Sequence, residues 1–186
     1  MDAKETHHIF NLIYIGLIAI WSTYSWLIGQ NGKELTAYVL VDSLYFVLDS
    51  CFIICRPSIV RAPVSVVFHH IISFIGAYGV AYNFPPLRYM LVELQMVDIN
   101  TWFLILRQWR PKRHILTEIL FYSSWVAIRM IYYPYLLYKA FIRASEGVAM
   151  VTILLLVVFL NVLNFKWSYD LFKKTLSGKR EKEHYL

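Results

Sequence analysis

Hydrophobic positions gather into six long blocks along the chain, at residues 9–28, 35–55, 64–84, 86–107, 115–138 and 147–166. Each is close to the roughly 20 apolar residues that a helix needs to cross a hydrocarbon core ~30 Å thick. The connections are short and carry turn or charge signals, such as Gly29-Gln30-Asn31-Gly32 and Arg110-Pro111-Lys112-Arg113. Pro134 falls inside the fifth block and predicts a kink there. The pattern predicts an all-α membrane protein: six transmembrane helices in one bundle, a single domain over 1–186, with a basic tail at 167–186.

Composition agrees with that pattern. Hydrophobic residues make up 59% of the 186 and charged residues 16%. A soluble domain of this length has no core large enough to hide so much apolar surface. Orientation follows from the basic residues flanking the blocks. With the N-terminus inside, thirteen cations fall on the inner side: Lys4, Arg56, Arg61, Arg107, Arg110, Lys112, Arg113, Lys166, Lys173, Lys174, Lys179, Arg180 and Lys182. Four fall outside: Lys33, Arg88, Lys139 and Arg143. Both termini are therefore expected to be cytoplasmic.

The net charge of +6 then belongs to a face that meets anionic headgroups, with no soluble basic surface left for nucleic acid. The first block is too long for a signal-peptide core and has no small-x-small cleavage site, so it reads as a retained helix. Cys51 and Cys55 lie one turn apart near the inner end of the second block and read as reduced packing residues.

The chemistry lies in the polar residues that interrupt the blocks. An ionisable side chain at the centre of a membrane helix costs about 2.5–3.5 kcal/mol on insertion scales, so each needs a reason. Counting 1.5 Å per residue from the inner helix ends sorts them into two layers. Asp49, His69, His70, Asp98, Asn100 and Asn161 fall in a shallow layer and could meet in one cavity. Asp42, Glu93 and Arg129 fall deeper, which predicts an ion cluster pairing Arg129 with Glu93, Asp42 or both. Ser73, Gly76 and Ala77 follow the histidines as a small-residue face that admits a helix or a lipid chain.

Adjacent histidines on a helix point about 100° apart and seldom share one metal, so no metal site and no resident cofactor are expected. An imidazole can serve as general base or as nucleophile toward an activated acyl group. Asp49 has the right depth to orient His69 or His70. The residues point to acyl transfer onto a lipid amine or hydroxyl, with lipid hydrolysis and plain lipid binding also open.

These residues resemble a known family, the TLC domain. Tyr45-Phe46-Val47-Leu48-Asp49 resembles its Tyr-Phe-x-x-Asp signature, and Val67-Phe68-His69-His70-Ile71 its paired histidines. Glu93 with Asn100 matches the Glu-x6-Asn spacing of its smaller members. Arg129 ahead of Pro134 resembles the family arginine, and Asn161 through Trp167 its closing helix. The resemblance spans about residues 35–175. It implies a six-helix barrel around a lipid cavity, usually in the endoplasmic reticulum.

The family's best-known enzymes are ceramide synthases, which move an acyl chain from acyl-CoA to a sphingoid base, with the histidine pair taken as catalytic. The resemblance thus makes His69, His70 and Asp49 candidate catalytic residues. Asp42, Ser73, Glu93, Asp98, Asn100, Arg129 and Asn161 become candidate lipid- or substrate-binding residues, with membrane lipids and acyl-CoA as partners. The long ceramide-synthase motif is missing here: helix four reads Leu91-Val92-Glu93-Leu94-Gln95-Met96-Val97-Asp98-Ile99-Asn100. Besides acyl transfer, a non-enzymatic lipid sensor, carrier or membrane-composition regulator and a membrane-protein trafficking factor are open functions.

Overall fold

Asp2 starts the first helix. Its side chain accepts the Glu5 backbone N–H at 2.7 Å, and Glu5 follows in the first turn. An acidic cap and an acidic first turn both suit the positive end of the helix dipole. The chain is described here from a computed structural model, over residues 2–29, 33–109 and 114–176. Gln30-Asn31-Gly32, the basic run Arg110-Pro111-Lys112-Arg113 and the tail with Lys179, Arg180 and Lys182 lie outside the described residues.

Six spans are long and apolar enough to cross a membrane: Ala3–Leu27, Leu35–Cys55, Pro63–Asn83, Pro85–Trp109, Ile115–Ile142 and Val148–Lys173. They are built from helices α1 (Ala3–Leu27), α2 (Lys33–Cys55), α3 (Pro63–Asn83), α4 (Arg88–Gln95), α5 (Val97–Trp109), α6 (Ile115–Ser124), α7 (Tyr133–Ile142) and α8 (Val148–Leu176). The protein is an all-helical integral membrane protein. Two spans depart from the expected outline. Span four is interrupted at Met96, between α4 and α5. In span five the disturbance expected at Pro134 takes the form of a π-helical stretch, Trp125–Tyr132, just before the proline. Proline cannot donate a backbone hydrogen bond, and a loosened turn ahead of it accommodates the loss.

Polar side chains gather inside the bundle within a larger apolar core, and apolar side chains cover its outside. Leu17, Ile75 and Leu155 are 63%, 60% and 65% exposed, as lipid-facing side chains should be. On α2 the buried stripe runs Leu35, Tyr38, Asp42, Tyr45, Phe46, Asp49 and Ile53, a helical spacing that turns both aspartates inward. Cys51 and Cys55 are free thiols on the opposite, exposed side. The expectation that they are packing residues is therefore corrected: they sit off the stripe that Asp42 and Asp49 define.

Polar stitches fix the register of the spans. Trp102 Nε1 donates to the Leu12 carbonyl at 2.9 Å, with its ring edge against Gly16. Trp125 Nε1 donates to Ser168 Oγ at 2.9 Å, joining spans five and six. At one end of the bundle Arg107 reaches Glu118 at 2.6 Å and lies over the Phe121 ring at 4.9 Å. At the other end Arg143 binds both carboxylate oxygens of Glu146, at 2.8 and 2.7 Å, and also Tyr89. Those hydrogen bonds hold the exposed Glu146 carboxyl below its usual range. Gly147 follows at φ 126, a conformation that a side chain would strain.

The small-residue face of α3 admits a helix. A Cβ on Gly76 would stand 2.7 Å from Leu156 of α8. Gly76→Val should therefore lower stability in detergent by about 1–3 kcal/mol, read as a drop in thermal midpoint. Adding Leu156→Ala should recover part of the loss; strictly additive losses would show that the two do not meet.

Candidate functional site

The described residues enclose a cavity of about 1520 Å³, above the ~300–1,000 Å³ of most small-ligand sites. Its mouth lies at the end of the bundle where Lys4, Arg61, Gln108, Lys166 and Lys173 are exposed. From there it runs past a polar zone, its neck, of His7, His69, His70 and Asp49 to a mainly apolar floor of Ala77, Leu91, Leu94, Leu156 and Leu160. A polar mouth over an apolar pocket suits an amphiphile.

Asp49 is the meeting point of the polar neck. Its Oδ2 lies 3.5 Å from His70 Nδ1, and Ser50 Oγ is 3.4 Å from the same nitrogen. Its Oδ1 lies 2.7 Å from His7 Nε2. His7 also meets Asn11 at 3.0 Å and the Phe52 ring at 5.2 Å. All three principals are enclosed, with His7 at 4%, Asp49 at 2% and His70 at 6% exposure. His70 is walled on its other sides by Tyr45 and Phe46, at 5.8 and 5.4 Å between centroids.

His69 faces elsewhere, as the 100° step between neighbours requires. It lies 3.5 Å from Ser73 Oγ and edge-on to Trp167 at 5.5 Å. Asp49 thus lies against one of the two histidines and not the other. Among the described residues no group of three or more His, Cys, Asp or Glu side chains is placed to hold a metal.

Deeper in the cavity wall stands Arg129, and here the expected ion cluster is corrected. Its guanidinium donates to Asn100 Oδ1 at 2.7 Å, Asn164 Oδ1 at 2.6 Å and Thr101 Oγ1 at 3.1 Å. It also lies over Trp125 at 4.7 Å and Trp167 at 5.6 Å. Glu93 pairs instead with Lys139, at 2.6 and 2.9 Å. Asp42 accepts a hydrogen bond from Gln95.

The reason is the tilt of side chains toward the N-terminus of their own helix. Asp42 and Glu93 are on spans that run toward the basic mouth, so their side chains lean away from it. Arg129 is on a span running the other way, and its long side chain leans toward the mouth. Counting Cα positions puts the three at one depth; their charged ends diverge.

The remaining candidates divide by position. Asp98 and Ser73 line the cavity. Asp42, Glu93 and Asn100 lie behind its wall. Asn161 also lies outside it, donating to the Tyr133 carbonyl at 3.3 Å and to Val157 at 2.8 Å. Asn164, one turn further along α8, takes the cavity position.

A family model for the TLC domain matches residues 5–173. The chain belongs to the TLC-domain family. No curated protein and no solved structure matches it. The TLC domain takes in α1 from its first turn, and with it His7, which an expected start at residue 9 had left out of the bundle. The Asp2-x-x-Glu5 pattern, a helix-start signal, could have placed His7 inside. Asn164, Gln95 and Thr101 were also missed; only Asn164 had a signal, its spacing of three from Asn161.

The Arg129 contacts make a testable distinction. Arg129→Leu and Asn100→Leu should each destabilise the protein in detergent, and their double mutant should couple by about 0.5–3 kcal/mol. Arg129→Leu with Glu93→Gln should add within about 0.5 kcal/mol. Coupling in the second cycle and none in the first would restore the original pairing.

Proposed function

We propose that this TLC-domain protein is an acyltransferase of the ceramide-synthase type, moving an acyl chain from acyl-CoA to a lipid amine or hydroxyl. The observation carrying this reading is the Asp49–His70 contact at the neck of a lipid-sized cavity, with a cationic mouth on one side and an apolar floor on the other. Asp49 faces Nδ1 of His70, which favours the tautomer with its proton there and its lone pair on Nε2. That nitrogen takes the proton from the amine or hydroxyl of the acceptor lipid. The freed lone pair attacks the thioester carbonyl, the C–S bond breaks, and the CoA thiolate leaves and regains the proton from the imidazolium. Acceptor and acyl-CoA give acylated lipid and CoA.

Other groups fit supporting roles. Arg61 and Lys173 at the mouth supply charge for the phosphates of CoA, beside Arg107 and Lys166, which are paired with Glu118 and Asp170, and the acyl chain lies along Ala77, Leu91 and Leu156. His69, beside Trp167 and Ser73, borders the same reaction volume. The reading requires the basic end to face the cytoplasm, where acyl-CoA is found; the endoplasmic reticulum is the membrane we propose.

The test is acyl transfer by purified protein given acyl-CoA and a panel of lipid amines and hydroxyls. His70→Ala should abolish turnover, and Asp49→Asn should lower kcat by about 100-fold or more by releasing the ring. Both should leave folding in detergent intact. Wild-type protein that turns over no acceptor, yet copurifies with a lipid whose binding survives His70→Ala, would replace catalysis with the lipid-sensor reading.

A further inference from the structure

The neck of the cavity contains a third imidazole that the proposed reaction does not use. His7 comes from α1, a different span from either Asp49 or His70, and it makes the shorter of the two contacts to Asp49. Its Nε2 stands 2.7 Å from Asp49 Oδ1, against 3.5 Å between Asp49 Oδ2 and His70 Nδ1. Its other nitrogen, Nδ1, is buried without a hydrogen-bond partner. A bare lone pair is tolerated there more easily than an unpaired N–H. The Asn11 amide lies 3.0 Å from the same Nε2, and turning it presents its otherwise unpaired Oδ1 there. The proton then belongs on Nε2, shared between that oxygen and the Asp49 carboxylate. The Phe52 ring against the imidazole leaves it little room to turn.

We infer that His7 is a positioning residue, which holds the Asp49 carboxylate in the rotamer that presents Oδ2 to His70 and so fixes the tautomer of His70. The chemistry follows from the two oxygens of one carboxylate. With Oδ1 tied by the His7 N–H, the plane of the carboxylate is set, and Oδ2 has one direction left, toward His70 Nδ1. Without His7 the group can rotate about χ2, a soft torsion for aspartate, and Oδ2 loses its aim. His70 Nδ1 would then be left to the Ser50 hydroxyl, which can donate as well as accept and therefore selects neither tautomer.

The inferred His7 contact makes the site depend on α1. Asn11 lies one turn above His7, and Ile15 and Ile18 continue the same buried face. The docking of α1 thus sets the position of the Asp49 carboxylate. His7 touches no reacting atom; it acts through Asp49. Its effect on rate rests on the acyl-transfer reading above; its effect on the tautomer of His70 does not.

Two measurements separate these. Full-length protein labelled with 15N-histidine, in detergent, reports which nitrogen of each imidazole carries the proton. Single histidine variants assign the signals. Wild type should show His70 protonated on Nδ1. His7→Phe keeps a ring beside Phe52 and removes the N–H, and should convert His70 to a mixture of tautomers. His7→Gln, whose amide can donate to Asp49, should keep the wild-type signature. An unchanged His70 signal in folded His7→Phe would overturn the inference, whatever the activity proves to be.

In the acyl-transfer assay, His7→Phe should lower kcat by about 10- to 100-fold with KM within about twofold, and His7→Gln should restore most of the rate. In an Asp49→Asn background, His7→Phe should add no further loss. That double variant leaves no buried carboxylate without a partner, so it stands in if His7→Phe alone does not fold. A further tenfold loss in it would mean that His7 acts by another route, and would overturn the inference. Signals that respond as expected in a protein without acyl transfer would uphold the role of His7 and sink the enzyme.

Discussion

A guanidinium inside hydrocarbon must find acceptors there, and Arg129 finds Asn100, Asn164 and Thr101. Those three residues belong to spans four and six, so one side chain on span five ties three spans together. The tie is neutral on its acceptor side. Amide and hydroxyl oxygens take the N–H groups without a second charge having to leave water, and two indole faces add attraction for the cation. Charged pairs appear nearer the ends of the bundle, as Arg107–Glu118 and Lys139–Glu93, where water can reach part of each group.

The same rule shapes the cavity. Where side chains satisfy one another, as around Asn100, the bundle closes and no lining remains. Where they cannot reach across, the space stays open and is lined by groups that still have bonding capacity, among them Asp98, His69 and Gln95. The interrupted span four and the π-helical stretch of span five both border this space. Gln95 precedes the first interruption and Arg129 lies within the second, and both side chains line the space. A membrane helix tolerates such breaks where the freed backbone groups are re-satisfied by neighbours.

Chemically, the neck joins an element that selects a tautomer to one that admits an amphiphile. Asp49 is bracketed by imidazoles from α1 and α3, while the apolar floor continues beyond His70 along the small-residue face of α3. Gly76 brings Leu156 of α8 against that face, so α8 helps form the floor. The α1–α2–α3 side of the bundle supplies the polar chemistry, and α8 supplies part of the apolar wall.

Six spans, their approximate limits and the inward stripe of α2 were legible in the sequence, because length, hydropathy and a helical repeat are local properties. So was the meeting of Asp49 with a histidine at shallow depth, since both lie close to helix ends from which depth can be counted. The partners of Arg129, Glu93 and Asp42 were not legible. Counting places Cα atoms, whereas a long side chain ends most of a turn away, in a direction set by which way its helix runs. Nor was the difference between the adjacent histidines: which one meets Asp49 depends on the rotation of α3 within the bundle. His7 was hidden for a further reason. Its helix begins in a polar stretch that hydropathy excludes, and only the packing of α1 against α2 brings its ring to the carboxylate. Local pattern thus determined what crosses the membrane; the aim of each polar side chain was decided by helix direction, rotation and contact across spans.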